Sequence, residues 1–316
     1  PRCIMRSIKL LSIFILLCGA LAELDVLKSC CQHQQSYQNL FKCVDNSVKA
    51  QSKLQKSSNY ALVTYTTENI LGYSSYSLAI NAAYAAHCGY KYEILTPDDG
   101  ADYEPRDQRW NKVQILSQAL NSAEYSGVKY VVWMDADLVM LDFSFKIEEI
   151  VAQYPDKEIL LSTDPHPDEI FSLVNTGFVV VKNTPLAKAF LSAWWGERQD
   201  RLSGWDQHIF TRLYMSGRTL EEHSENGAMT NFKDIVQLLP PDAVNTHRPA
   251  TTFHQPHNPV LHMIGSVLRH RKEVFATGLD NLCQGSDDLK SLPIQLGLTR
   301  QALVEIENRV LSSRAA

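Results

Sequence analysis

From Tyr60 onward the apolar positions of the chain switch repeatedly between a strand-like and a helix-like period. Tyr60-Ala-Leu-Val-Thr-Tyr65 is a short apolar run, the pattern of a buried strand. Ser74 to His87 carries apolar residues at helical spacing, and Tyr92-Glu-Ile-Leu95 is a second strand, ended by the turn signal Pro97-Asp-Asp-Gly100. Arg109 to Tyr125 predicts an amphipathic helix closed by Gly127. Val128 to Met134 is apolar throughout, as a parallel strand covered on both faces should be. Strand, helix, strand, helix, strand in this order predicts the first half of a doubly wound α/β sheet. Further strands are expected at Ile159–Ser162 and Gly177–Val181, followed by a helix that Pro185 opens and that runs through Trp194 and Trp195.

The flanks are different in texture. Basic residues Arg6 and Lys9 precede a charge-free run from Leu10 to Ala22, which ends in Ala20-Leu-Ala22 and then Glu23. That run suits the core and cleavage site of a signal peptide, and an uncleaved signal anchor is the alternative. Either one sends the chain into the secretory pathway. The Golgi lumen is the expected compartment, with secretion left open. In that oxidising setting a disulfide is expected among Cys30, Cys31 and Cys43, while Cys88 and Cys283 either pair or stay free. Ser29 to Ser58 is rich in Gln, Ser and Lys, with Tyr37, Leu40, Val44 and Val48 mostly four apart, and predicts a marginal helical stem outside the core. The expected division is an address at 1–22, a stem at 23–58, one large domain at 59–285 and a helical tail at 286–316 carrying Leu303, Ile306 and Val310.

Composition narrows the function without choosing it. With 316 residues, 45% of them apolar and 21% charged, the chain has the material for a sizeable core. Its net charge of −5 argues against nucleic acid as the principal partner. None of the 7 cysteines forms a Cys-x-x-Cys pair, so a zinc ribbon is excluded.

The sharpest chemical signal is Val131-Val-Trp-Met-Asp135-Ala-Asp137, two carboxylates placed where an apolar strand runs out. Ligands of open α/β sheets bind beyond the carboxyl ends of strands, and alternate strand residues point the same way. Asp135 and Asp137 can therefore converge on one hard cation, Mn²⁺ or Mg²⁺, shared with substrate phosphates. Two enzyme classes use this pattern. A haloacid-dehalogenase-like phosphatase would employ Asp135 as a nucleophile, and Leu160-Leu-Ser162-Thr163 imitates its second motif, although in that class the Asp motif opens the domain. The other class is nucleotide-sugar glycosyltransferases. A third possibility is a catalytically inactive carbohydrate-binding protein of the same fold.

Several separated segments resemble glycosyltransferase family 34, the retaining α-galactosyl, α-mannosyl and α-xylosyl transferases. They are Asn81-Ala-Ala-Tyr84 with His87-Cys-Gly-Tyr90, Arg109-Trp-Asn-Lys112, the Asp135/Asp137 motif, Asn175-Thr-Gly177, Trp205-Asp-Gln207 and His262-Met-Ile-Gly265. The resemblance covers about Tyr60 to Phe275 and implies a GT-A type, Rossmann-like fold with a single mixed, mainly parallel sheet flanked by helices. It implies Asp135, Asp137 and His262 as metal ligands. Tyr65, Lys112, Asp135, Asn175, Thr176, Gly177, Gly265 and Arg269 would bind the donor, a UDP- or GDP-sugar. It also implies Asp206 and Gln207 at the reacting sugar, with Gln207 stabilising charge at the anomeric carbon and Asp206 orienting the acceptor hydroxyl. The acceptor would be a glycan or glycoprotein. Monomer and homodimer, and membrane anchoring through the N-terminal segment, stay open.

Overall fold

The computed structural model describes residues 29–54, 58–99, 107–164, 167, 173–197, 205–217, 219–221, 229–241, 243–244, 259–263 and 268–285. The expected address at 1–22 and tail at 286–316 lie outside them.

In chain order the elements are α1 (Tyr37–Leu54), β1 (Tyr60–Tyr65), α2 (Leu71–Cys88), β2 (Lys91–Leu95), α3 (Asn111–Asn121), β3 (Tyr130–Met134), β4 (Leu138–Met140) and α4 (Ile147–Val151). They continue with β5 (Ile159–Thr163), β6 (Val174–Lys182), α5 (Pro185–Gly196), α6 (Asp206–Met215), β7 (Thr219–Glu221), β8 (Met229–Asn231), α7 (Phe232–Ile235), β9 (Val236–Leu239), β10 (Val260–His262) and α8 (Leu268–Cys283). Six strands form one sheet in the order β2-β1-β3-β6-β5-β9. β1 is parallel to both β2 and β3, β5 is parallel to β9, and β6 runs antiparallel to β3 and β5. Five strands thus point one way and β6 the other.

Both faces of this sheet are buried, which is why its strands are apolar throughout rather than alternating. Leu62 of β1 and Val132 of β3 face α1, α2 and α8, where Leu40, Leu78 and Phe275 pack with them. Their sequence neighbours Ala61, Val63, Val131 and Trp133 face the opposite core, with Leu116 of α3, Trp194 of α5 and Phe210 of α6. α2 is buried almost all round, as expected of a helix with little polar surface.

Three expectations need correction. α1 is not a stem outside the core: Leu40, Val44 and Val48 are fully or almost fully buried against α2. Their four-residue spacing is an amphipathic stripe, and a stripe finds a partner even in a segment otherwise rich in polar residues. The disulfide is also different from any expected among the N-terminal cysteines, because Cys31 bonds Cys283 across 252 residues. That pairing follows from α8 packing along α2, a tertiary arrangement that cysteine spacing cannot reveal. Cys30, Cys43 and Cys88 are free, the first two with Sγ atoms 2.9 Å apart. The expected helix at 109–125 is interrupted: α3 stops at Asn121, and Ser122 caps a separate short turn.

Candidate active site

The site is built where β3 ends. A tight turn carries Asp135 to Asp137, and the chain then enters β4, which leaves the main sheet and pairs antiparallel with β10. In that register His262 lies opposite Leu138, so a residue more than a hundred positions later arrives beside both aspartates. α2 fixes the turn from behind. Asn81, fully buried, donates from Nδ2 to Leu138 O at 2.8 Å and accepts from Met140 N at 3.0 Å, and Ser77 Oγ donates to Ala136 O. This clamp gives a physical reason for Asn81 in the sequence.

Each carboxylate has one oxygen tied down and the other turned toward a common point. Asp135 Oδ1 accepts from Trp133 Nε1 at 2.6 Å and lies 3.2 Å from Lys112 Nζ, while its Oδ2 faces His262 Nε2 at 3.7 Å. Asp137 Oδ2 meets Arg271 at 2.9 Å, while its Oδ1 lies 3.1 Å from His262 Nε2. Ligand atoms from Asp135, Asp137 and His262 all lie within 4.8 Å of one another, close enough to hold one cation. Burial by itself would push the Asp137 carboxyl up, but His262 and then Arg271 hold it below the ordinary aspartate value. It is therefore ionised, as a metal ligand must be.

Gly177 explains how His262 fits. A Cβ at position 177 would fall 2.1 Å from His262 Cε1 and 2.5 Å from Nδ1, so any larger residue would displace the ring. The Asn175-Thr-Gly177 segment is part of β6, beside the aspartates: Gly177 O accepts from Asp135 N at 2.8 Å. Asn175 Oδ1 accepts from Gly177 N at 2.9 Å.

A second polar cluster adjoins the first through Lys112. Its Nζ, on the buried face of α3, sits 3.2 Å from Asp135 Oδ1 and 3.1 Å from Asp206 Oδ2, and donates to Thr176 O and Oγ1. Thr176 Oγ1 in turn donates to Asp206 Oδ2 at 2.7 Å. Burial pulls the Lys112 pKa down, but Asp135 and Asp206 outweigh it and hold the amine above the ordinary lysine value. Asp206 is the first residue of α6 and only 3% exposed; Trp205 is the cap. Next along α6, Gln207 Nε2 lies 3.5 Å from Asp164 Oδ2 at the end of β5.

The structure thus brings together Asp135, Asp137, His262, Lys112, Asn175, Thr176, Gly177, Asp206 and Gln207. Tyr65 is buried in the core that holds Trp110 and Trp133. Gly265 and the Arg269 side chain lie outside the described residues. Two members were missed from sequence. Asp164 ends an apolar strand, as Asp135 does, which was the available signal. Arg271, which meets Asp137, belongs to the basic run Arg269-His-Arg-Lys272, and nothing local in that run marks it.

Residues 107–258 match the family model of nucleotide-diphospho-sugar transferases, a span that includes both aspartates and Gln207 but ends before His262. No curated protein matches the chain significantly. Among solved structures, the chain is similar to a glycosyltransferase involved in glycosylation of the major capsid of PBCV-1. Identity is 14%, over 69% of this chain and 98% of that one, with a TM-score of 0.52. It is also matched to the galactosyltransferase LgtC in complex with donor and acceptor sugar analogs, at 12% identity over 71% and 95% of the two chains and a TM-score of 0.36. Mouse xyloside xylosyltransferase 1 matches at 12% identity over 65% and 98%, with a TM-score of 0.35. The fold is the mixed α/β fold of GT-A glycosyltransferases, in keeping with the resemblance in the sequence.

Proposed function

We propose that this chain is a metal-dependent, retaining glycosyltransferase that moves a sugar from a nucleoside-diphosphate donor to a hydroxyl of a glycan or glycoprotein. The observation that carries the proposal is the convergence of Asp135 Oδ2, Asp137 Oδ1 and His262 Nε2 beside the Lys112–Asp206 pair and Gln207. The match of residues 107–258 to nucleotide-diphospho-sugar transferases supports the same conclusion, and with His262 against the aspartates it favours sugar transfer over a phosphatase. The family-34 resemblance supports the retaining assignment and an α-linked product.

Two carboxylate oxygens and an imidazole nitrogen suit Mn²⁺, with Mg²⁺ the alternative. Bound there, the cation would offset the negative charge of the departing diphosphate. The protein's own residues do the rest. Lys112 and Arg271 each hold one oxygen of a ligand carboxylate, which fixes the direction of the other. Asp164, accepting from Gln207 Nε2, orients the Gln207 amide, whose Oε1 would face the anomeric carbon. There the amide oxygen stabilises positive charge as the sugar–phosphate bond breaks, while the acceptor hydroxyl enters on the face being vacated. The leaving phosphate oxygen takes the hydroxyl proton. Asp206 Oδ2 holds Lys112 and accepts from Thr176, so this carboxylate positions Lys112 in addition to the part at the acceptor hydroxyl that the resemblance implies.

The N-terminal address at 1–22 and the Cys31–Cys283 bridge support an oxidising secretory compartment, most simply the Golgi lumen. No helix among the described residues is long and apolar enough to cross a membrane.

Thermal unfolding with a panel of UDP- and GDP-sugars tests the proposal. A cognate donor raises the Tm only with Mn²⁺ present, because it binds the native state alone. No rise with any donor would contradict it.

A further inference from the structure

Among the described residues, the large hydrophobic side chain left exposed is Trp205, at 51%. A single exposed apolar residue is ordinary on a protein surface. Trp205 differs in two respects. It immediately precedes Asp206 and Gln207, and it is held in place before any ligand arrives. The Arg109 guanidinium lies 4.3 Å from its ring centroid, and Arg109 is itself fixed by Asp107, at 2.7 Å from Nε and 2.8 Å from Nη2. The His208 ring stacks nearly parallel to the indole, 8° off with centroids 5.3 Å apart. With both contacts made, half of the residue's surface still faces solvent.

Position says what this surface is for. Contacts lead outward from the cation ligands in a chain: Asp135 to Lys112, Lys112 to Asp206, then Trp205 next in sequence. Arg109, one helical turn before Lys112, closes the far end against the indole. A donor whose diphosphate lies at Asp135, Asp137 and His262 and whose sugar reaches Gln207 fills the inner part of this row. Trp205 lies one step beyond.

We propose that the Trp205 indole is the platform for the acceptor and that it takes a pyranose ring, so that the acceptor is a carbohydrate rather than a peptide hydroxyl. This inference rests on the transferase reading of the site. One face of a pyranose presents C–H hydrogens of partial positive charge, which the electron-rich face of an indole attracts, while the hydroxyls stay at the rim in water. Because Arg109 and His208 already order the indole, little entropy is lost when the sugar stacks.

The test uses the full chain and a set of methyl glucosides, galactosides, mannosides and xylosides in both anomers, with a Ser/Thr-containing peptide as the other probe. Binding is read by saturation-transfer NMR with Mn²⁺ and nucleoside diphosphate present. At least one methyl pyranoside is expected to bind, with affinity about 10-fold lower or worse in Trp205→Leu, which keeps apolar bulk without a π face, and within about 3-fold of wild type in Trp205→Phe. Both variants are checked for a native unfolding transition, so that a lost fold is not mistaken for a lost site. Absence of pyranoside binding to wild type, equal binding to Trp205→Leu, or Trp205-dependent binding of the peptide instead would each overturn the proposal. In parallel, wild type is assayed for nucleoside diphosphate release from the donor panel into water. Failure of that arm alone defeats the transferase reading and is distinguishable from failure of the platform.

Discussion

Gly177 and His262 are fitted to one another: the imidazole occupies the space that a side chain at position 177 would need, and a Cβ there would lie 2.1 Å from the ring. The glycine is required for room, at an ordinary strand position of β6. Gly177→Ala is therefore expected to push His262 away from Asp137 while leaving the sheet intact. Mn²⁺ affinity, read by calorimetry, should fall about 10- to 100-fold with a near-native unfolding transition. Unchanged Mn²⁺ affinity would show that His262 is not a ligand.

Lys112 and Asp206 form a pair with both side chains buried, 3.1 Å apart. Lys112→Met leaves Asp206 and Asp135 facing each other without a cation and should cost about 3–5 kcal/mol of stability by denaturant unfolding. The sign of the pH dependence follows from the raised pKa. A base whose pKa is higher folded than unfolded contributes fully below its unfolded value and loses that contribution as pH rises through the folded one. The difference between wild type and Lys112→Met should thus be flat between about pH 6 and 9 and shrink only in strong alkali. A difference that fades below pH 9 would mean that the pair is not ionised.

How much of this was legible before the structure depends on the range of the interaction. β1 matches its expected span, Tyr60–Tyr65, because an apolar run between polar breaks is a local signal. Asp135 and Asp137 were visible for the same reason. Read singly, Lys112, Thr176 and Asp206 are a helix lysine, a threonine between two apolar runs and a helix cap, and only the family resemblance marked them as site residues; their mutual contacts join three elements and leave no periodic trace. The Asp164–Gln207 contact and the Cys31–Cys283 bond were hidden in the same way. α1 was misjudged for another reason: polar composition outweighed a three-residue stripe of Leu40, Val44 and Val48 that the fold does bury.

The Cys31–Cys283 bond fastens the end of α8, the helix whose first turn brings Arg271 to Asp137. Removing it by Cys31→Ser should lower stability by about 2–5 kcal/mol, the usual effect of losing a disulfide that closes a long loop. Mass spectrometry of unreduced peptides should recover Cys31 joined to Cys283. Recovery of Cys31 joined to another cysteine would contradict the packing of α8.

Gln207 is placed to act on charge that develops during transfer. Gln207→Ala should lower kcat about 100-fold or more and leave donor affinity within about 3-fold. Asp164→Ala, which frees the amide to rotate, should show a smaller loss of the same kind. A rise in donor Kd with kcat preserved would make Gln207 a binding residue only.

The central claim is cation-dependent cleavage of a nucleotide sugar at Asp135, Asp137 and His262. It is tested most directly by nucleoside diphosphate release from UDP- and GDP-sugars, measured with Mn²⁺, with EDTA, and in Asp137→Ala. Release should occur with at least one donor, stop with EDTA, return when Mn²⁺ is restored, and be absent from a folded Asp137→Ala protein. Release that persists in EDTA and in Asp137→Ala would contradict it.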